Sequence, residues 1–199
     1  MDIVSCDEDG ISKTLRSYKN GGVIVFPTDT VYGIGCDPFK RDSVTKIYEL
    51  KKRDGEKRFP ILGTSKKELE KIVEFNSIAE KISHEFWPGQ VTLLLPIRKE
   101  ISRKIENNGK LAVRVPNNKC VLSILKHCKL IIGTSANISG EESILDVDEL
   151  KIKLPEADVL VDGGKITNSG ESTIIEFVAG ELKIIREGSV SKEEIENIL

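Results

Sequence analysis

Short apolar runs rich in β-branched residues recur along the chain, separated by stretches where apolar residues return every three or four positions. The first period marks strands and the second helices. Gly22-Val23-Ile24-Val25-Phe26 has the pattern of a buried strand, and Pro27 ends it because proline cannot donate to a ladder. Further strands are expected from Ile3 to Cys6, Phe59 to Gly63, Val91 to Ile97, Leu111 to Val115, Leu130 to Ile132 and Ala157 to Val161. Ile174 to Phe177 pairs with Leu182 to Arg186 as a hairpin. Helical spacing covers Asp9 to Lys19, with Ile11, Leu15 and Tyr18 on one face and Asn20-Gly21-Gly22 as the stop. Asp42 reads as the N-cap of a helix through Lys51. Ser65-x-x-Glu68 opens a helix to about Phe75, Ser77-x-x-Glu80 one ending at Trp87-Pro88-Gly89, and Ser191-x-x-Glu194 a last short one. Another helix runs from Lys119 to His127. The mixture, without repeats or low-complexity linkers, predicts a single α/β domain spanning residues 1–199.

Composition narrows this picture. Of the residues 39% are apolar, 31% charged and only 5% aromatic, with net charge −2, so an anion site must be a local cluster rather than a global field. Cys6, Cys36, Cys120 and Cys128 lie far apart, without a C-x-x-C and with only two histidines. That argues against a zinc site or a disulfide framework and predicts reduced, mostly buried thiols. No apolar run approaches the roughly 18 residues of a membrane helix, and Met1-Asp2-Ile3-Val4-Ser5 lacks the features of a signal peptide. A cytoplasmic location, away from membranes, is the expectation.

Polar clusters follow or interrupt the apolar runs at Thr28 to Tyr32, Lys51 to Arg58, Thr134 to Ser139 and Gly170 to Thr173. Polar residues just after a core strand sit where open α/β sheets bind ligands, although Thr and Asp there also serve as ordinary turn formers. Lys51 and Arg53 close a helix and equally complement its dipole. Arg114 stands between Val113 and Val115, so alternation turns it away from both. It is either a solvent-facing arginine or a fork onto a carboxylate or phosphate. Ser135 and Asn137, two apart, project to one side in extended chain or bond backbone in a turn. There is no P-loop and no Rossmann fingerprint, and His84 and His127 lie in helices, so a serine-hydrolase triad has little support.

Several blocks in order carry a resemblance: Phe26 to Gly35, Lys51-x-Arg53, Trp87-Pro88-Gly89-Gln90-Val91-Thr92 and Ala112-Val113-Arg114-Val115-Pro116. They continue with Thr134 to Gly140, Asp162-Gly163-Gly164, Glu171-Ser172-Thr173 and Arg186-Glu187-Gly188. The set resembles the YrdC/YciO family, whose characterised members are threonylcarbamoyl-AMP synthases, in its short, single-domain form. The resemblance implies a twisted mixed β-sheet flanked by helices, with a concave basic cleft.

It also implies a reaction in which L-threonine, bicarbonate and ATP give L-threonylcarbamoyl-adenylate and pyrophosphate. The product would supply a separate transferase that modifies tRNA. By carry-over, Lys51, Arg53, Ser135 and Asn137 are the catalytic and ATP-binding tetrad, Arg186 joins the nucleotide side, and Thr30, Arg114 and Ser172 hold threonine. Ser135 and Asn137 would donate to phosphate or carbamate. Mg²⁺ would be carried mainly by the ATP phosphates, in keeping with the lack of a dense carboxylate cage. Phe59 and Thr64 replace an asparagine and a histidine common in the family, and Gln90 replaces a proline, departures expected to bear on the threonine pocket. The alternatives are a YciO-like paralogue acting on another carbamate or adenylate, and a non-catalytic module binding structured RNA through the same cleft.

Overall fold

The protein is described by a computed structural model covering all residues except 56, 57, 106, 168, 169, 179 and 180; part of the polar run 51–58 therefore lies outside the described residues. In chain order the elements are β1 (Asp2–Ser5), α1 (Glu8–Lys19), β2 (Ile24–Phe26), β3 (Gly33–Gly35), α2 (Arg41–Lys51) and β4 (Ile61–Gly63). Next come α3 (Lys66–Leu69), α4 (Ser77–Phe86), β5 (Val91–Pro96), β6 (Lys110–Arg114), α5 (Lys119–Cys128), β7 (Leu130–Ile132) and β8 (Thr134–Ser135). The last are α6 (Val147–Lys153), β9 (Val159–Asp162), β10 (Thr173–Val178), β11 (Glu181–Arg186) and α7 (Lys192–Glu196).

The expected α/β architecture is present, and its strands divide between two mixed sheets. One has the order β1-β9-β2-β3-β8, the other β11-β10-β5-β6-β4-β7. β1 and β2 flank β9 in parallel, while β3 pairs antiparallel with β2 and β8. In the second sheet the β5/β6 and β10/β11 pairs are antiparallel, and β10 lies parallel to β5. The sheets meet at Gly133, where the chain leaves β7 and enters β8 one residue later. Gly35 makes that meeting close, because a Cβ there would fall 1.7 Å from the Ile132 carbonyl oxygen. The Ile132 N–H donates to the Cys36 carbonyl at 3.0 Å across the same join.

Three apolar clusters hold these layers. α4 and α7 pack Ile82 and Ile195 on the six-stranded sheet, and α2 and α6 pack Ile47 and Leu150 against Val25 and Ile34 of the five-stranded one. α1 and α5 lie across the join, sharing a cluster with β2 and β9 of one sheet and β4 and β7 of the other. Cys6 and Cys120, at the starts of these two helices, form a disulfide across 114 residues, which corrects the expectation of four reduced thiols. Their spacing along the chain carried no hint of the pairing, which the α1–α5 packing creates. Cys36 and Cys128 are free, and burial pushes both thiols up to about 12.

Three capping assignments also change. Lys40 is the N-cap residue of α2, with no side-chain cap, and Asp42 sits in the first turn. Ser65 makes no side-chain cap, and α3 ends at Leu69 rather than near Phe75. The chain there turns to pair with the end of β5, through a Val73–Ile97 bridge and the Glu74 N–H on the Pro96 carbonyl at 2.9 Å. Asn76, not Ser77, caps α4, its side chain accepting from the Ala79 N–H at 2.8 Å. The box at Ser191 and Glu194 is formed as expected. No helix among the described residues is long and apolar enough to cross a membrane.

Candidate active site

A cavity of about 410 Å³ opens between the two sheets, and all eight side chains singled out from the sequence line it. β8 and the loop after it deliver Ser135 and Asn137, the end of α2 delivers Lys51 and Arg53, and β6 delivers Arg114. Thr30 comes from the loop between β2 and β3, Ser172 from just before β10 and Arg186 from the end of β11. Strand ends and the loops after them thus converge, as in open α/β sheets generally. Among the described residues five cations, Lys51, Arg53, Arg58, Arg114 and Arg186, line one space in a chain of net charge −2, the local cluster that the composition required.

Arg114 is buried, 5% exposed, and faces the cavity rather than solvent. Its Nε donates to the Gly89 carbonyl at 2.7 Å, Nη1 to Thr30 Oγ1 at 3.2 Å and Nη2 to Asp29 Oδ1 at 2.7 Å. Burial pulls the guanidinium pKa down and the Asp29 charge pulls it back up. The Thr28 hydroxyl proton nearby can be placed by elimination. Thr28 Oγ1 lies 2.6 Å from the Val31 carbonyl, which only accepts, so Thr28 donates there. Thr28 Oγ1 also accepts from the N–H groups of Thr30 at 3.1 Å and Val31 at 3.2 Å, while Thr30 Oγ1, 2.9 Å away, accepts from Arg114 and lines the cavity. Tyr32, at the end of this loop, is structural. Its hydroxyl donates to the Gly164 carbonyl at 2.6 Å and accepts from the Gly163 N–H at 3.1 Å, and burial raises its pKa.

Lys51 is 1% exposed. Its ammonium donates to the carbonyls of Ser135 at 2.6 Å and Asn137 at 2.7 Å and to Asn137 Oδ1 at 3.2 Å, so all three protons are engaged. The Lys51 carbonyl accepts from the Ser139 N–H at 2.8 Å, which completes a grip on the loop after β8. Ser135 donates to Asn137 Oδ1 at 2.6 Å, and Asn137 Nδ2 donates to the Glu141 carbonyl at 2.5 Å. In this arrangement the Ser135 proton that the resemblance assigns to phosphate lies on Asn137, and Ser135 offers lone pairs instead. α2 ends in a left-handed Lys52, φ 48°, which turns Arg53 out of the helix; its guanidinium lies 5.1 Å from the Phe59 ring centroid. Burial lowers the Arg53 pKa, and so does Arg186.

At the opposite wall Arg186 ion-pairs with Glu171 and donates from Nη2 to the Ser172 carbonyl at 2.8 Å and hydroxyl at 3.1 Å. Ser172 also lies 2.8 Å from Thr92 Oγ1, whose exposure is 1%. Either hydroxyl can donate in this pair, and Ser172 lines the cavity while also accepting from Arg186. Thr92 and Glu171 were not among the candidate residues. The signals for Thr92 are a polar residue inside an apolar strand and its place at the end of the Trp87 to Thr92 block. Phe59 and Thr64 do not line the cavity. Phe59 packs on Tyr48 at 4.3 Å between centroids and meets the Arg53 guanidinium, so it bears on the cavity through Arg53, while Thr64 donates to the Leu125 carbonyl at 2.6 Å.

The Sua5/YciO/YrdC family model, described as "Telomere recombination", matches residues 16–188. The chain belongs to this family. A putative threonylcarbamoyl-AMP synthase of Methanocaldococcus jannaschii is 34% identical over 97% of this chain and 94% of its own length. A threonylcarbamoyl-AMP synthase of Wigglesworthia glossinidia brevipalpis is 33% identical over 81% of the chain and 87% of that protein. The crystal structure of Pyrococcus abyssi Sua5 complexed with L-threonine superposes with TM-score 0.94 at 29% identity over all of this chain, which spans 61% of the length of that one. Escherichia coli YciO shares the fold, with TM-score 0.87 at 23% identity and 98% coverage of both chains.

Proposed function

We propose that this protein is an L-threonylcarbamoyladenylate synthase, a nucleotidyltransferase that joins L-threonine, bicarbonate and ATP with release of pyrophosphate, for the modification of tRNA. The observation that carries this reading is the convergence of Thr30, Arg114 and Ser172 with Arg53 and Arg186 on one cavity. An amino-acid carboxylate needs a fixed fork, and Arg114 has one N–H left on each terminal nitrogen after its three protein bonds. The Thr30 and Ser172 hydroxyls can each accept a substrate N–H or donate to a carboxylate or carbamate oxygen.

The amine of threonine and bicarbonate combine to a carbamate with loss of water, and the carbamate oxygen attacks the α-phosphorus as pyrophosphate leaves. Negative charge grows on the phosphoryl oxygens, where the guanidinium groups of Arg53 and Arg186 meet it. Lys51 acts one step back, through the loop carrying Ser135 and Asn137. ATP enters as its magnesium complex. Among the described residues, the two carboxylates lining the cavity have cationic partners, Glu171 with Arg186 and Glu141 with Lys153 at 2.9 Å. Among the described residues no group of three or more His, Cys, Asp or Glu gathers to hold a metal. The acceptor of the product is a tRNA threonylcarbamoyl transferase, and the chemistry belongs in the cytoplasm with ATP and tRNA.

The test is to incubate the protein with MgATP, bicarbonate and single amino acids, following pyrophosphate and the adenylate by mass spectrometry. Release that requires both threonine and bicarbonate is the expected result. Release indifferent to threonine would overturn the reading.

A further inference from the structure

Asp29 is the one residue of the loop between β2 and β3 whose chemistry the reading above leaves unused. Its Oδ1 accepts from Arg114 Nη2 at 2.7 Å, with side-chain exposures of 11% and 6%. Among the described residues its buried Oδ2 has no hydrogen-bond partner, and Arg114 is the side chain its carboxylate meets. Thr28, Thr30 and Val31 line the cavity while Asp29 does not, so Asp29 reaches a substrate only through another group. The backbone carbonyl of Asp29 is itself held, by Gln90 Nε2 at 2.7 Å, and the neighbouring Gly89 carbonyl takes Arg114 Nε. Gly89 and Gln90 therefore hold the Arg114 side chain and the Asp29 backbone from the same short segment before β5.

Electrostatics makes the role specific. A carboxylate beside Arg114 opposes the binding of a second carboxylate to it, so attraction is not what Asp29 adds. Its effect is on orientation. The guanidinium is a rigid planar fork whose remaining freedom is rotation about the Nε–Cζ bond; with Asp29 in place that rotation must break two hydrogen bonds, at Nη1 and Nη2, instead of one, so the two free N–H groups stay aimed. We propose that Asp29, anchored by Gln90, is a positioning residue that locks the Arg114 guanidinium in the plane in which it receives the carboxylate of the amino-acid substrate. The identity of that substrate as threonine rests on the function proposed above; the locking does not.

The experiment compares wild type with Asp29→Asn and Asp29→Glu. Asp29→Asn is expected to lower kcat/KM for threonine on the order of 100-fold, through a raised threonine KM, with the KM for ATP close to wild type and the unfolding midpoint lowered, since Arg114 loses its buried counter-charge. Asp29→Glu, which keeps the charge but shifts it by a methylene, is expected to fall between. Equal losses toward threonine and ATP would mark a merely structural role and overturn the proposal. The second readout needs no substrate. Separate, slowly exchanging Arg114 Nη signals in ¹⁵N spectra of the wild type should merge in Asp29→Asn, and identical spectra would overturn the locking. If the wild type ignores threonine but its Arg114 signals still depend on Asp29, the function proposed above falls and the positioning stands.

Discussion

A lysine at the last position of a helix is ordinarily a solvated charge, and Lys51 carries no local mark of anything else. In the fold its ammonium is enclosed by three oxygens from residues 84 and 86 positions later. Burial, and secondarily Arg53, push its pKa down to about 8, against a smaller upward pull from Glu171. The unfolded chain keeps the proton to about 10.5, so between about pH 8 and 10.5 the unfolded state binds more protons and linkage makes the fold more stable as pH rises. Below pH 8 both states are protonated and the cost of burying the charge is fully present. Lys51→Met removes this term. The stability of wild type relative to Lys51→Met, from urea melts, should therefore increase from pH 7 to pH 9.5; a constant difference would show that Lys51 does not titrate there. Arg114 was ambiguous for the same reason. Alternation set its direction, but its partner Asp29 lies 85 residues upstream, and no local pattern encodes that meeting.

Elements whose signals are local were legible, and those governed by neighbours were not. The apolar runs at Val91, Leu111 and Leu130 became strands, and α1 and α5 follow their stripes, because burial of one face is enough to select each period. Capping failed where two candidates stood side by side. Asn76 and Ser77 both suit an N-cap, and the S-x-x-E spacing pointed to the wrong one; the Glu80 carboxylate instead pairs with Lys66 at 2.5 Å. Asn76→Ala should lower stability by about 1 kcal/mol, whereas Ser77→Ala, at an exposed first-turn position, should leave it within a few tenths. Equal effects in urea denaturation would return the cap to Ser77. The short α3 shows the opposite limit. A helical pattern through Phe75 gave way because residues 73 and 74 find strand partners at Pro96 and Ile97, a tertiary choice that outweighs propensity.

At the scale of the molecule, the cavity exists because two sheets share one chain crossing at Gly133, and α1 and α5 brace that join from outside. The bracing is partly covalent. The Cys6–Cys120 disulfide closes a 114-residue loop, so in the chain-entropy view it acts on the unfolded chain, by up to roughly 5 kcal/mol. The folded contacts it accompanies do not depend on it. Ile11 and Tyr18 of α1 share a buried cluster with Val121, Ile124 and Leu125 of α5, and the Tyr18 hydroxyl donates to the Leu130 carbonyl at 2.8 Å. Neither cysteine lines the cavity. Reduction, or the Cys6→Ser/Cys120→Ser double change, should therefore lower the urea midpoint by several tenths of a molar or more while leaving the threonine and ATP KM values unchanged. If the midpoint does not move, the covalent link contributes nothing and packing alone holds the join. If instead the KM values rise with reduction, the brace reaches the cavity through β7 and Gly133, and the two sheets are held in catalytic register by the bond between the helices.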